Sequence, residues 1–356
     1  MTDHSPLNRT AAWRNPGDRT YAEAVEDAVQ NLVLSVDLES FESGSVSDRA
    51  AIVAEVMQSL ETGFVYVRHG LDETQIDRAY AMLAEFFALP AETKAKSTVA
   101  GSHGQTGYTG LLVETAASSD VPDWKEMLNW GSDLPGGHPL RTRYPHRYAD
   151  QVFPEDDVAG IREVLLNFHE TVVEVQRRFL RLIAVGLGVD EFLFDQMLSD
   201  GPALTRAIRY PPMGDAPDDH DGADDGYVWA GEHADINLIT TLPRATAPGL
   251  QIQSGGGWID AEPPPGHAIV NTGMMLEHLS NGLLPAGRHR VVAAPGQVEE
   301  RYSVVQFCHP APWTILAPFA SCITPTNRQR FNTVEAGVKL DQVLYEINLV
   351  EDARRV

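Results

Sequence analysis

Two residues of metal-ligand type, His233 and Asp235, stand two apart in an apolar stretch with β-branched members, Gly231-Glu232-His233-Ala234-Asp235-Ile236-Asn237-Leu238-Ile239. A third, His289, comes far downstream in Arg288-His289-Arg290-Val291-Val292. Residues i and i+2 of a strand face the same side, so the first segment presents an imidazole and a carboxylate together. His289 can join them only if the strands between fold back. Two neutral imidazoles and one carboxylate make a three-point face on a divalent metal and leave the opposite positions free. That donor set suits iron(II) that must bind two exogenous ligands at once. Taken alone, His-x-Asp is more often an ordinary core or surface pair.

A second anchor lies downstream in Arg301-Tyr302-Ser303-Val304-Val305-Gln306-Phe307. Period-2 alternation puts Arg301, Ser303, Val305, Phe307 and His309 on one face and Tyr302, Val304 and Gln306 on the other. An inward guanidinium with a hydroxyl two residues on is a charge-assisted site for a carboxylate. From Arg206 onward the chain reads as short strands broken by Gly/Pro turns: Pro243 to Gly249, Ser254-Gly255-Gly256-Gly257, Pro263-Pro264-Pro265-Gly266 and Asn281-Gly282. This spacing predicts a sandwich or barrel.

The ordered motifs resemble the iron(II)- and 2-oxoglutarate-dependent oxygenases of the isopenicillin N synthase-like family, over roughly residues 33 to 320. The family's H-x-D…H-R-V pattern is matched by His233, Asp235 and His289-Arg290-Val291, and its R-x-S by Arg301 and Ser303. Upstream matches are Val36-Asp37-Leu38, Gly63-Phe64-Val65-Tyr66-Val67-Arg68-His69-Gly70, Phe86-Phe87-Ala88-Leu89-Pro90, Gly107-Tyr108 and Asp123-Trp124-Lys125-Glu126. Tyr210, in Arg209-Tyr210-Pro211, stands where the family carries a tyrosine that helps hold the oxo-acid. Many plant members have an asparagine two residues earlier, where this chain has Ile208.

The resemblance implies an α+β, mainly β fold with a double-stranded β-helix (jelly roll) core, an N-terminal helical region and a C-terminal helix. It implies iron(II), 2-oxoglutarate and O2 as cofactor and co-substrates, with iron on His233, Asp235 and His289 and the oxo-acid on Arg301, Ser303 and Tyr210. The implied reaction is oxidation of an unactivated C–H bond of a small metabolite (hydroxylation, desaturation or cyclisation), in specialised metabolism, with decarboxylation of the oxo-acid to succinate. Two alternatives stay open: an oxidase of the same fold that needs no 2-oxoglutarate, and a non-catalytic ligand-binding jelly roll. Expected substrate contacts are Tyr108, in a Gly-x-x-Gly loop, with Phe307 and His309.

Four segments are expected: an extension over 1–32, an α/β region over 33–205 packing on the core, the jelly roll over 206–320, and a helical tail over 321–356. Strands near 34–38 and 64–67 and helices over 48–61 and 72–89 precede a long helix, in which Ile161, Leu165, Phe168, Val172, Val175, Phe179 and Leu182 recur on one stripe. The tail from Thr333 to Ile347 reads as a helix that closes over the pocket.

A chain of 356 residues, 43% hydrophobic, can bury a large core, and its net charge of −23 lacks the basic stripe that nucleic acid requires. The acid-rich segment 214–226 fits a solvated loop, with a pocket lid as the functional alternative. Two cysteines, Cys308 and Cys322, imply no disulfide framework. With no apolar leader and no apolar run long enough for a membrane span, a cytoplasmic monomer is the default. His69, His169 and His267 read as structural. Asn271-Thr272-Gly273 and Leu279-Ser280-Asn281-Gly282 read as turn chemistry or pocket lining.

Overall fold

A computed structural model describes residues 33–102, 104–114, 122–216, 228–293 and 297–346. The acidic segment from 217 to 226 and the extension over 1–32 lie outside the described residues. Strand β1 (Ser35–Asp37) leads through helices α1 (Leu38–Ser43) and α2 (Val46–Ser59) to β2 (Phe64–Arg68), which it pairs in parallel. Ser45 starts α2 with a capping box: its hydroxyl accepts from the Asp48 amide while the Asp48 carboxylate accepts from the Ser45 amide. Asp72 caps α3 (Glu73–Phe87) by accepting from the Thr74 amide. The helices expected over 48–61 and 72–89 thus form, with their N-terminal ends set by these caps.

After α4 (Ala91–Lys94) come strands β3 (Gly107–Thr109) and β4 (Glu126–Gly131), the short helix α5 (Pro139–Arg143), the long helix α6 (Ile161–Gly186) and α7 (Leu193–Leu198). All seven residues of the α6 stripe are buried. At about 2 kcal/mol for each large apolar side chain removed from water, that stripe is a principal stabiliser of the helical layer. Strands β5 (Leu204–Tyr210), β6 (Val228–His233), β7 (Ile239–Leu242), β8 (Leu250–Ser254), β9 (Gly257–Asp260) and β10 (His267–Thr272) follow. Helix α8 (Met274–Leu279), strands β11 (His289–Val292) and β12 (Arg301–Cys308), and helix α9 (Ala336–Glu346) complete the main elements.

These twelve strands form two sheets, β1-β2-β10-β7-β12-β5-β4-β3 and β6-β11-β8-β9, and a short two-stranded ribbon pairs Ile315–Leu316 with Val334–Glu335. Strands from 33–205 therefore lie at both edges of the larger sheet and flank a centre formed by β10, β7, β12 and β5. One apolar cluster lies between the sheets, where Phe64, Met127, Ile208 and Ile269 of the larger meet Trp229, Leu250, Ile252 and Val291 of the smaller. Two further clusters bury the outer face of the larger sheet under α3 and α6. This is the jelly-roll sandwich expected, with helices α3 and α6 packed on the outer face of the larger sheet. Strand β12 shows the alternation: Val305 packs against the inter-sheet cluster, and Val304 and Cys308 pack among the helices.

One polar cluster is built into the larger sheet. Glu126 accepts from Lys94 Nζ at 2.7 and 2.9 Å, from Arg209 Nη1 at 2.6 Å and from the Tyr108 hydroxyl. Lys94 is itself buried, so removing Glu126 strands a cation away from water. Glu126→Ala is expected to lower stability by about 3–5 kcal/mol, the usual cost of breaking a buried pair from one side. Chemical denaturation of the purified variant measures it, and a loss below about 1 kcal/mol would mean that water reaches Lys94.

Candidate metal centre

Strand β6 ends at His233 and strand β11 begins at His289. The two residues are directly opposite in the antiparallel register, with ring centroids 4.3 Å apart. Asp235 sits just past β6, on the turn leading into β7. One ligand-type atom from each of the three lies within 4.8 Å of the others. The fold-back that the sequence demands is thus supplied by β8 to β10, which return the chain so that β11 pairs with both β6 and β8.

Each group is oriented by a neighbour. Nδ1 of His233 lies 2.8 Å from the Gly231 carbonyl, and Nδ1 of His289 lies 3.1 Å from that of Gly287. A carbonyl can only accept, so each Nδ1 donates, and each Nε2 keeps its lone pair for a metal. Asp235 Oδ2 accepts from Asn271 Nδ2 at 2.8 Å and from the Thr240 hydroxyl. Thr240 in turn accepts from Asn237 Nδ2 at 3.0 Å, which turns its hydrogen toward the carboxylate. Oδ1 of Asp235 is left facing His233 Nε2, 4.0 Å away.

Burial, helped by the nearby His289, pushes His233 down to about 4 and keeps its imidazole neutral. Burial alone would raise Asp235, but His289, His233 and the two hydrogen bonds outweigh it and hold the carboxyl below its usual range. A neutral imidazole beside an ionised carboxylate is the protonation state that metal ligation needs.

Beside this cluster is a cavity of about 70 Å³ lined by the triad, Arg301, Ser303 and Tyr210. A single water needs about 10–15 Å³ by this measure, so the space admits a short chain of atoms. Arg301 is only 1% exposed. Its Nε donates to the Ala247 carbonyl at 3.0 Å and its guanidinium lies over the Tyr210 ring at 5.1 Å. Its Nη1 is buried with no hydrogen-bond partner among the described residues. A buried guanidinium nitrogen left over in this way is costly unless an anion meets it, and the cavity provides the place for one.

A second, larger cavity of about 440 Å³ also opens on His233 and Asp235, and Phe307 and His309 line it. Burial, reinforced by Arg147, pushes His309 down to about 3. Helix α9 supplies Leu340, Val343 and Leu344 to one wall, held down by the buried Arg147–Asp341 ion pair. The helix expected in the tail thus forms and contributes one wall of this cavity.

Tyr108 is the exception among the expected site residues. It packs on the helical side of the larger sheet with Phe86, gives its hydroxyl to Glu126 and lines neither cavity. The reason is register: on β3 it pairs with Leu128, whose side also faces the helices. Sequence reasoning also missed Thr240, and it left Asn271 undecided between turn and pocket. Glu114 and Arg206 of the larger cavity were not singled out either, and Lys125 enters only within the Asp123-Trp124-Lys125-Glu126 match, because ion pairing between distant segments leaves no pattern along the chain. His169 is structural, bonded to Thr205 and Gln306; His69 and His267 likewise bond local backbone.

Residues 35–156 match the N-terminal family described as non-haem dioxygenase in morphine synthesis, and residues 202–310 match the 2OG-Fe(II) oxygenase superfamily. The chain is 31% identical to mugineic-acid 3-dioxygenase from Hordeum vulgare over 78% of its own length and 75% of that protein's. A 2OG-Fe(II) oxygenase family protein from Caulobacter crescentus superposes with a TM-score of 0.76 at 33% identity, covering 88% of this chain and 99% of that one. A full-length Neurospora crassa protein in complex with alpha-KG and 5-formyluracil gives 0.74 at 26% identity, covering 87% and 94%. With the fold, the His-Asp-His cluster and these relatives in agreement, the chain belongs to the 2OG-Fe(II) oxygenase superfamily and is a 2-oxoglutarate- and iron(II)-dependent dioxygenase of small molecules.

Proposed function

We propose that His233, Asp235 and His289 hold the iron, that Arg301, Ser303 and Tyr210 receive the far carboxylate of 2-oxoglutarate, and that the larger cavity takes the metabolite. The observation that carries this reading is the Nη1 of Arg301, without a hydrogen-bond partner among the described residues, on the wall of the cavity that the triad also lines. When bound, iron(II) with 2-oxoglutarate and O2 supplies oxidation of a C–H bond, coupled to conversion of the oxo-acid to succinate and carbon dioxide.

The protein's part is positioning. Asn271 and Thr240 fix which oxygen of Asp235 faces the metal position. Arg301, stripped of water, meets a carboxylate more strongly than an exposed arginine would. Phe307 lines both cavities, and so stands where the oxo-acid chamber gives onto the metabolite chamber. Leu340, Val343 and Leu344 keep that second chamber apolar and dry on one side. Hydroxylation, desaturation and cyclisation all start from this geometry, and the metabolite enzymes among the relatives support a role in specialised metabolism. The charge of −23 supports a small-molecule substrate rather than a nucleic acid. Two free, buried cysteines fit the reducing cytoplasm.

Titrating the anaerobic iron(II) protein with 2-oxoglutarate tests the reading. A visible metal-to-ligand charge-transfer band is expected to appear and saturate, and succinate release is expected to accelerate with the correct metabolite. Substrate-triggered O2 uptake with no oxo-acid present would replace this reading with the oxidase one.

A further inference from the structure

The larger cavity has a charged wall as well as an apolar one. Glu114 is held there by its backbone, whose carbonyl accepts from the Asp123 amide at 2.8 Å. Its Oε2 lies 3.1 Å from Lys125 Nζ and 3.5 Å from Arg206 Nη1. Its Oε1 is buried and makes no hydrogen bond among the described residues; Arg206 Nη1, 3.4 Å away, balances its charge without bonding to it. Burial would raise this carboxyl, but Arg206 and Lys125 outweigh burial and hold it down at about 2, so it can only accept.

The three cations that line this cavity are already committed, Arg288 by giving Nε to Glu232 at 2.6 Å. Lys125 bridges Glu114 and Asp123, the latter at 2.7 Å. Arg206 gives Nε to Asn129 Oδ1 at 2.7 Å and Nη2 to the Gly104 carbonyl at 3.0 Å, besides its contact with Glu114. An incoming carboxylate would have to break one of these pairs and would face Glu114 at close range. A second unsatisfied group borders the same space: His309, 7% exposed, has an Nδ1 without a partner among the described residues.

Building on the functional reading above, we propose that the substrate carries a hydrogen-bond-donating head, an amine, amide or ring N–H, which docks on Oε1 of Glu114 near His309, and that a free carboxylate head is rejected. The body of the molecule then lies against Leu340, Val343 and Leu344. Glu114 acts here as a specificity-determining residue that touches substrate, with no role in the oxidation itself.

Three probes with one apolar body and different heads decide it: phenethylamine, phenylacetamide and phenylacetate. Each is titrated calorimetrically into the anaerobic iron(II) protein saturated with 2-oxoglutarate. The amine and the amide are expected to bind at least about ten-fold tighter than the carboxylate, the value of one hydrogen bond to a charged group. In Glu114→Gln, which keeps the shape and loses the charge, the preference for the amine is expected to shrink by about ten-fold, while the 2-oxoglutarate band stays as in wild type. Equal or tighter binding of phenylacetate, failure of both donor-bearing probes to bind, or an unchanged ranking in a folded Glu114→Gln protein would overturn the proposal. The wild-type ranking needs no variant, so a misfolded Glu114→Gln leaves the question decidable. Absence of the charge-transfer band would count against the oxo-acid assignment instead, and the head-group ranking is measured on the same protein either way.

Discussion

Asp235→Ala is expected to come out of iron(II) reconstitution nearly free of metal and nearly inactive. Asp235 is the one anionic group of the triad, and in the variant two buried donors, Asn271 Nδ2 and the Thr240 hydroxyl, lose their acceptor. Loss of an outer partner of a metal ligand typically costs about 10–100-fold in affinity or activity. Loss of the ligand itself should exceed about 100-fold in both. Iron retained after dialysis, together with succinate formation, measures it. Asp235→Glu is expected to fall between the two, since its carboxylate survives but is displaced by one methylene. Wild-type iron content in Asp235→Ala would remove this residue from the metal site.

The second large effect is on the oxo-acid. Arg301 is fully enclosed, and truncating one partner of a buried charge pair costs about 2–5 kcal/mol. At about 1.4 kcal/mol per decade, Arg301→Ala should raise the apparent constant for 2-oxoglutarate by roughly thirty-fold or more. Iron affinity is expected to stay near wild type, because the variant leaves the triad and the partners that orient it in place. Ser303→Ala should act in the same direction more weakly, having removed one neutral donor. A 2-oxoglutarate dependence unchanged in both variants would move the co-substrate elsewhere in the cavity.

The parts of the site legible in the sequence were those with a period or a motif behind them. Arg301, Ser303, Val305 and Phe307 line one cavity because a strand has period two, whereas His233 ends β6 and it is the turn into β7, not strand alternation, that brings Asp235 beside it. The α6 stripe was legible because helical periodicity marks the buried side. Tyr108 failed because the sequence reads as a loop there: its strand β3 is only three residues long, too short to show a period, and pairing with Leu128 sends it to the helices. Thr240 and Asn271 come from strands β7 and β10, which are hydrogen-bonded neighbours in the larger sheet, and no spacing along the chain announces that both bond Asp235.

Residue order alone settles which chemical groups are available and the local faces they share: two imidazoles, a carboxylate, an arginine with its serine, and alternating strands able to present them. Short-range geometry is enough for that, since side-chain direction repeats with the backbone. It takes the folded arrangement to set His289 opposite His233, to leave one oxygen of Asp235 free of Asn271 and Thr240, and to commit Lys125 and Arg206 while Glu114 Oε1 keeps no hydrogen bond among the described residues. Those facts depend on strand register between distant segments and on where every hydrogen bond goes in a space closed to water. Neither is encoded in any one stretch of chain.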